Sequence, residues 1–193
     1  DYLYKWYLWA WAFKDLTRST PTIVQTDDHD IYQGNLWGNG GRAAPTEIID
    51  VGGRAERVRD QNRGGYVYGP EFINLVQRTQ CGHNPDPYDP TPIEQDIGVN
   101  YGMFKFGGIS FAFLEDRKFK TAPIQGQDLD VHEAQLLGAR QEAFLEAWGR
   151  DDEGVDGRIC LTQSLFACLQ TSPGGQALLD WDANGQPKLH RDR

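Results

Sequence analysis

Between residues 33 and 70 the chain carries nine glycines, at 34, 38, 40, 41, 52, 53, 64, 65 and 69, and holds no sustained period of two or 3.6 residues. The stretch therefore predicts a long loop with short helical turns at most, and the core has to be built by its flanks. Connections longer than ~12–15 residues are uncommon in compact domains and tend to carry function.

The flanking segments supply the candidate elements. Residues 2–17 (YLYKWYLWAWAFKDLT) are aromatic-rich and apolar on more than one face, with Pro21 as the next strong stop; this predicts a mostly buried helix, its aromatics packing the core rather than forming a sugar or partner surface. Residues 22–26 are short and β-branched and read as an interior strand. A helix is expected to start near Pro70 and run to Cys81, with Phe72, Leu75, Val76 and Thr79 on one face. Four prolines in residues 84–92 demand an extended loop. Residues 102–106 and 109–114 read as strands joined by a turn at Gly107-Gly108, and residues 115–132 as a polar loop. A helix is expected over 139–148, placing Ala143, Phe144 and Trp148 together and stopping at Gly149, and a strand from Arg158 to Leu161. Residues 178–193 are polar and turn-rich, and no internal repeat or domain linker is evident.

The totals narrow the function classes. With 193 residues and a net charge of −9, the chain fits one globular domain and offers no broad attraction to nucleic-acid backbones, which takes clustered positive charge. The longest apolar run, residues 6–13, is far short of the ~20 residues of a membrane helix. Cys81, Cys160 and Cys168 form no CxxC pair and read as buried small apolar residues. His83 beside Cys81 reads as a loop histidine, and His132 and His190 as solvated ones.

The chemistry concentrates in Thr26-Asp27-Asp28-His29-Asp30 (TDDHD), at the end of the expected strand. Three carboxylates in four residues cannot all ionise in a low-dielectric site without a compensating cation. Carboxylate oxygens and a neutral imidazole are ordinary metal ligands, so one reading is a metal centre. The other is a solvated turn whose aspartates cap the next segment. The run from Gly38 to Arg42 (GNGGR) follows directly, and its amides, Asn39 and Arg42 could line a phosphate.

Several segments resemble the alkaline phosphatase D (PhoD-like) family of metallophosphoesterases. KWYLWAWAFKDLTRSTPTIVQTDDHDIYQGNLWGNGGR (5–42) looks like that family's strand-DDH[DE] segment. FLEDRKFK (113–120), LGARQEAFLEAW (137–148) and DANGQPKLHRDR (182–193) are similar to its FxLDxRxYR, LGxxQxxWL and DxNGWPxxxRD segments, in the same order.

The resemblance implies an α/β fold, the calcineurin-like four-layer α/β/β/α sandwich, of which residues 1–193 form a central part incomplete at both ends. It also implies hydrolysis of phosphate monoesters or diesters by a metal-activated water. Asp28 and Asp27 are the implied metal ligands and His29 the catalytic group, with Asp30 and Arg117 supporting them and Arg42 and Asn39 on the substrate. The implied cofactor is a dinuclear site of iron and/or calcium, with zinc or manganese as alternatives, the partner a small phosphate ester and the location extracytoplasmic. The chain departs from the family pattern at Glu115, where FxLDxR has Asp, and the family's GDxxY-type and GDxH-type motifs have no counterpart in it. A noncatalytic binding domain on the same scaffold is the alternative, and for Asp30 and Arg117 a surface carboxylate and a surface ion pair.

Overall fold

The computed structural model describes residues 1–34, 36–122 and 135–164, and the backbone of 169–171 and 177–179. It is a mixed α/β protein. Helices α1 (Tyr2–Ala12) and α2 (Lys14–Thr17) are followed by the hairpin β1 (Thr46–Val51) and β2 (Arg54–Arg59), then α3 (Pro70–Cys81). Strands β3 (Gly102–Phe106) and β4 (Ile109–Phe113) lead through α4 (Asp116–Phe119) and α5 (Gly138–Arg150) to β5 (Gly157–Leu161), with β6 (Leu169–Thr171) and β7 (Ala177–Leu179) beyond.

The three-stranded sheet has the order β3-β4-β5. β3 and β4 pair antiparallel, Phe106 facing Ile109 across Gly107 and Gly108, whose φ of 59° and 79° provide the left-handed turn that glycine tolerates. β5 lies parallel to β4, so its approach needs a crossover, and α5 belongs to that connection. Trp148 Nε1 donates to the buried Ser110 Oγ of β4 at 2.7 Å, and Phe144 is fully buried against Val99, Tyr101, Ala112 and Leu114. A second core joins Ile31, Leu36, Tyr66, Ile73, Val76 and Ile97; it lies directly under the acidic turn.

Residues 84–92 are extended, as their prolines require, and Arg140 of α5 holds them through Asp89 Oδ2 at 2.8 Å and the Thr91 carbonyl at 2.7 Å. α3 begins at Pro70 as expected, but its buried positions are Ile73, Val76, Gln80 and Cys81. Phe72 packs against the edge of the second core and joins Tyr2, Tyr32 and Tyr68 in an aromatic cluster, while Leu75 and Thr79 are only half-buried. α5 passes through Gly149 to Arg150, and Ala143 faces solvent.

Five other expectations are corrected. The helix over residues 2–17 forms as α1 and α2, yet neither buries a residue. Only Tyr2, Trp6, Ala10 and Thr17 are half-buried, a stripe at helical spacing, so an all-round apolar sequence meets neighbours on one side alone. An apolar groove of about 1120 Å³ opens between this helix and the sheet, lined by Trp6, Trp9, Ile23, Phe104, Phe111 and Leu161. Residues 22–26 run extended but join no sheet, because side chains take their backbone groups. Asn84 bridges both the N–H and the carbonyl of Val24 at 3.1 and 2.7 Å, and Gln163 Nε2 donates to the Thr26 carbonyl at 2.6 Å.

The 33–70 stretch is not all loop. β1 and β2 pair over six residues each, Val51 facing Arg54 around Gly52 and Gly53, whose φ of 61° and 84° fit the two-residue hairpin turn with positive φ at both positions. Likewise the 115–132 stretch begins with α4, while residues 123–134 lie outside the described ones. Cys81 is buried as expected but Cys160 is exposed. Cys168, His132, His190 and the side chains of the 178–193 tail lie outside the described residues.

Candidate functional site

The acidic turn is built where the extended segment 22–26 gives way to a 3-10 turn, His29–Ile31. Asp28 caps that turn, its Oδ1 accepting the His29 N–H at 3.1 Å. The neighbouring aspartates fold back on the same backbone: Asp27 Oδ1 accepts the Asp28 N–H at 2.8 Å, and Asp30 Oδ2 accepts the Asp27 N–H at 2.7 Å. Tyr32 ends the turn at a φ of 58°, a left-handed conformation uncommon for a bulky residue. Beneath it, Gln80 Nε2 of α3 donates to Asp30 Oδ1 at 2.7 Å and to Tyr2 Oη at 2.9 Å.

The four side chains therefore have distinct settings. Asp30 is half-buried and fixes the turn to α3, which a surface carboxylate would not do. Asp27 faces Arg117 of α4, Nε lying 2.7 Å from Oδ1. Asp28 is only 6 % exposed and, among the described residues, has no ion pair. Burial and the adjacent Asp27 carboxylate push its carboxyl above the usual range, and the Arg117 guanidinium offsets only part of that. His29 projects outward and is exposed.

Arg117 reaches this position because the residues around it are anchored in the core. Glu115, Asp116, Lys118 and Lys120 are all buried. Glu115 Oε2 accepts the Asn100 N–H at 2.6 Å and its Oε1 pairs with Lys118 Nζ at 2.7 Å, while Lys118 also donates to the Gly98 carbonyl at 2.7 Å and to Gln77 Oε1. Gln141 of α5 closes the arrangement by accepting the Glu115 N–H at 2.9 Å. Asp116 accepts from Thr162 Oγ1 and the Gln163 N–H, both at 3.3 Å, and from Ser164 Oγ, which ties the turn after β5 to α4. Buried charges survive when they are paired and hydrogen-bonded in this way. Sequence reasoning picked out Arg117 and missed this framework; its signal was five charged residues within six directly after an apolar strand.

The Gly38 to Arg42 loop docks on the same helix. Gly38 N–H donates to the Arg117 carbonyl at 2.8 Å, Asn39 N–H to the Lys120 carbonyl at 3.1 Å and Gly41 N–H to the Gly38 carbonyl at 2.8 Å. These three amides are thus committed within the protein instead of forming a phosphate cradle. The approach requires glycine at 38, where a Cβ would stand 2.5 Å from the Lys118 carbonyl oxygen. The structure accordingly brings the Asn39 backbone beside α4. Arg42 is held elsewhere, its exposed guanidinium pairing with Glu94 at 3.1 Å.

As a donor set, Asp27, Asp28 and His29 offer two oxygen ligands and one nitrogen ligand, which hard and borderline cations accept. A cation beside Asp28 would relieve the conflict between its burial and the charge on Asp27. Among the described residues no three His, Cys, Asp or Glu side chains converge as a ligand cluster, so these residues fit one wall of a metal site. Comparisons with protein-family models, curated proteins and solved structures return no match to this chain.

Proposed function

We propose that the chain is the acidic-turn portion of a PhoD-like metallophosphoesterase, hydrolysing small phosphate monoesters or diesters in an extracytoplasmic setting. The observation that carries this reading is Asp28: a buried carboxylate without an ion pair among the described residues, next to a second carboxylate and an exposed imidazole. Asp28 and Asp27 would hold the metal, iron and/or calcium, with zinc or manganese as alternatives; a bound cation supplies Lewis-acid polarisation of a phosphoryl oxygen and a water nucleophile near neutral pH. Arg117 orients Asp27 and adds positive charge to the floor of the site. His29, free to face a substrate, donates a proton to the departing alkoxide.

The finer fold proposed is the four-layer α/β/β/α sandwich. Its support is the apolar groove between α1 and the β3-β4-β5 sheet, together with the exposed Tyr4, Tyr7 and Trp11 on α1 and Leu16 on α2. Further layers of such a sandwich would cover surfaces of this kind, since contiguous apolar patches are seldom left to water.

Assays of p-nitrophenyl phosphate and bis(p-nitrophenyl) phosphate hydrolysis with each metal added test the activity. Asp28→Ala is expected to lose metal and turnover together, and His29→Ala to lose turnover, ~10²–10⁴-fold for a general acid, with most metal retained. Unchanged hydrolysis in Asp28→Ala would refute the assignment, and hydrolysis by no form of the protein would favour the noncatalytic domain.

A further inference from the structure

Below the acidic turn lies a narrow cleft with a volume of about 10 Å³, close to the ~10–15 Å³ that a single water needs. Asp27, Tyr66, Glu115, Arg117 and Gln163 are among the residues that line it. Three buried polar atoms on this lining have no hydrogen-bond partner among the described residues: Tyr66 Oη, Arg117 Nε and Gln163 Oε1. Native interiors leave few such atoms unpaired, and here three come from distant segments onto one cleft.

Each atom's state is set by what its neighbours do. Gln163 Nε2 donates to the Thr26 carbonyl at 2.6 Å, which fixes the amide and leaves Oε1 as an acceptor. Arg117 Nε lies 2.7 Å from Asp27 Oδ1 yet makes no hydrogen bond, so the pair attracts by charge while the N–H remains available. Tyr66 is fully buried, and burial pushes its phenol far above the usual range, which keeps the O–H as a donor.

We propose that this cleft binds one water molecule, which joins Tyr66, Arg117 and Gln163 beneath the acidic turn. The water accepts from the Arg117 N–H and the Tyr66 O–H and donates to Gln163 Oε1 and to a carboxylate of the lining. A cation there would face the guanidinium, and an anion would face Asp27 and Glu115; a neutral molecule that both donates and accepts satisfies all three atoms. It links the segment before α3, helix α4 and the turn after β5, and so steadies Arg117 against Asp27. This inference does not depend on the chain's being a phosphoesterase.

The test pairs a high-resolution crystal structure with the stability of Tyr66→Phe. The expected result is one solvent peak within ~2.6–3.2 Å of all three atoms, and a Tyr66→Phe protein whose urea midpoint falls because the bound water loses a donor. No peak, or a peak that becomes anomalous after bromide exchange, overturns the proposal. So does an unchanged or raised midpoint, because deleting a buried hydroxyl without a partner relieves a desolvation penalty.

Discussion

Replacing Lys118 by Met removes the ammonium from a pair in which both side chains are 6 % exposed and Nζ lies 2.7 Å from Glu115 Oε1. The Met fills much of the stem's volume, so what is lost is the charge pair and the donor to the Gly98 carbonyl and Gln77 Oε1. It leaves the Glu115 carboxylate buried with the Asn100 N–H at 2.6 Å as its remaining polar contact among the described residues, and breaking a buried pair from one side typically costs ~3–5 kcal/mol. For a chain of this size each kcal/mol moves the melting temperature by ~2–4 °C, so a fall of ~6–20 °C is expected. Urea and thermal unfolding followed by the fluorescence of the six tryptophans measures it. The double variant Lys118→Met/Glu115→Gln should recover part of the loss, because Gln keeps an acceptor for Asn100 and carries no charge, while the Gly98 carbonyl and Gln77 Oε1 still lack the Lys118 donor. A loss below ~1 kcal/mol in the single variant, as for an exposed pair, would refute the claim that α4 is anchored by buried charge. A double variant less stable than the single would refute it equally.

Gly38→Ala sets a Cβ 2.5 Å from the Lys118 carbonyl oxygen and is expected to destabilise by ~1–3 kcal/mol, as overpacking does, measured as a lower urea midpoint. Asp28→Asn should stabilise the metal-free chain near pH 7. The folded Asp28 carboxyl is raised above its ordinary 3.8, so its favourable contribution exists below that pH and is lost as pH rises through the folded value. The gain from Asn, read from denaturation curves across pH, should therefore shrink towards pH 3.8. Cys81 is pushed up to about 12, first by burial and then by Glu115; at pH 8 a thiol reagent should label exposed Cys160, slowed by the partial burial that raises its thiol too, and Cys81 only on unfolding. Cys81's contribution to stability should decline as pH climbs from 9 towards 12.

The elements read correctly from sequence are those with a strong local signal: Pro70 at the start of α3, the paired glycines between β3 and β4, and Phe144 and Trp148 on α5. The β1–β2 hairpin carried the same Gly-Gly signal but escaped notice. Its strands are largely exposed, so burial imposes no alternation, and Ile48-Ile49 interrupts what pattern there is. α1 misled for the opposite reason, since apolarity records what a surface can bury and not how many neighbours it meets. The failed strand at 22–26 shows tertiary contacts overriding β propensity, with Asn84 and Gln163 serving the backbone in place of a partner strand. At the site, TDDHD was legible as crowded charge. The pairing of Asp27 with Arg117, and the buried framework that delivers Arg117, join residues some 90 apart in sequence, a separation that local pattern does not span.

The most direct test of the central claim is metal content per chain by elemental analysis, after loading the 193-residue protein with iron, calcium, zinc or manganese and washing away loose ions. The account predicts tightly held metal that is lost in Asp28→Ala and retained in His29→Ala. No held metal, or metal content unchanged by Asp28→Ala, would contradict it.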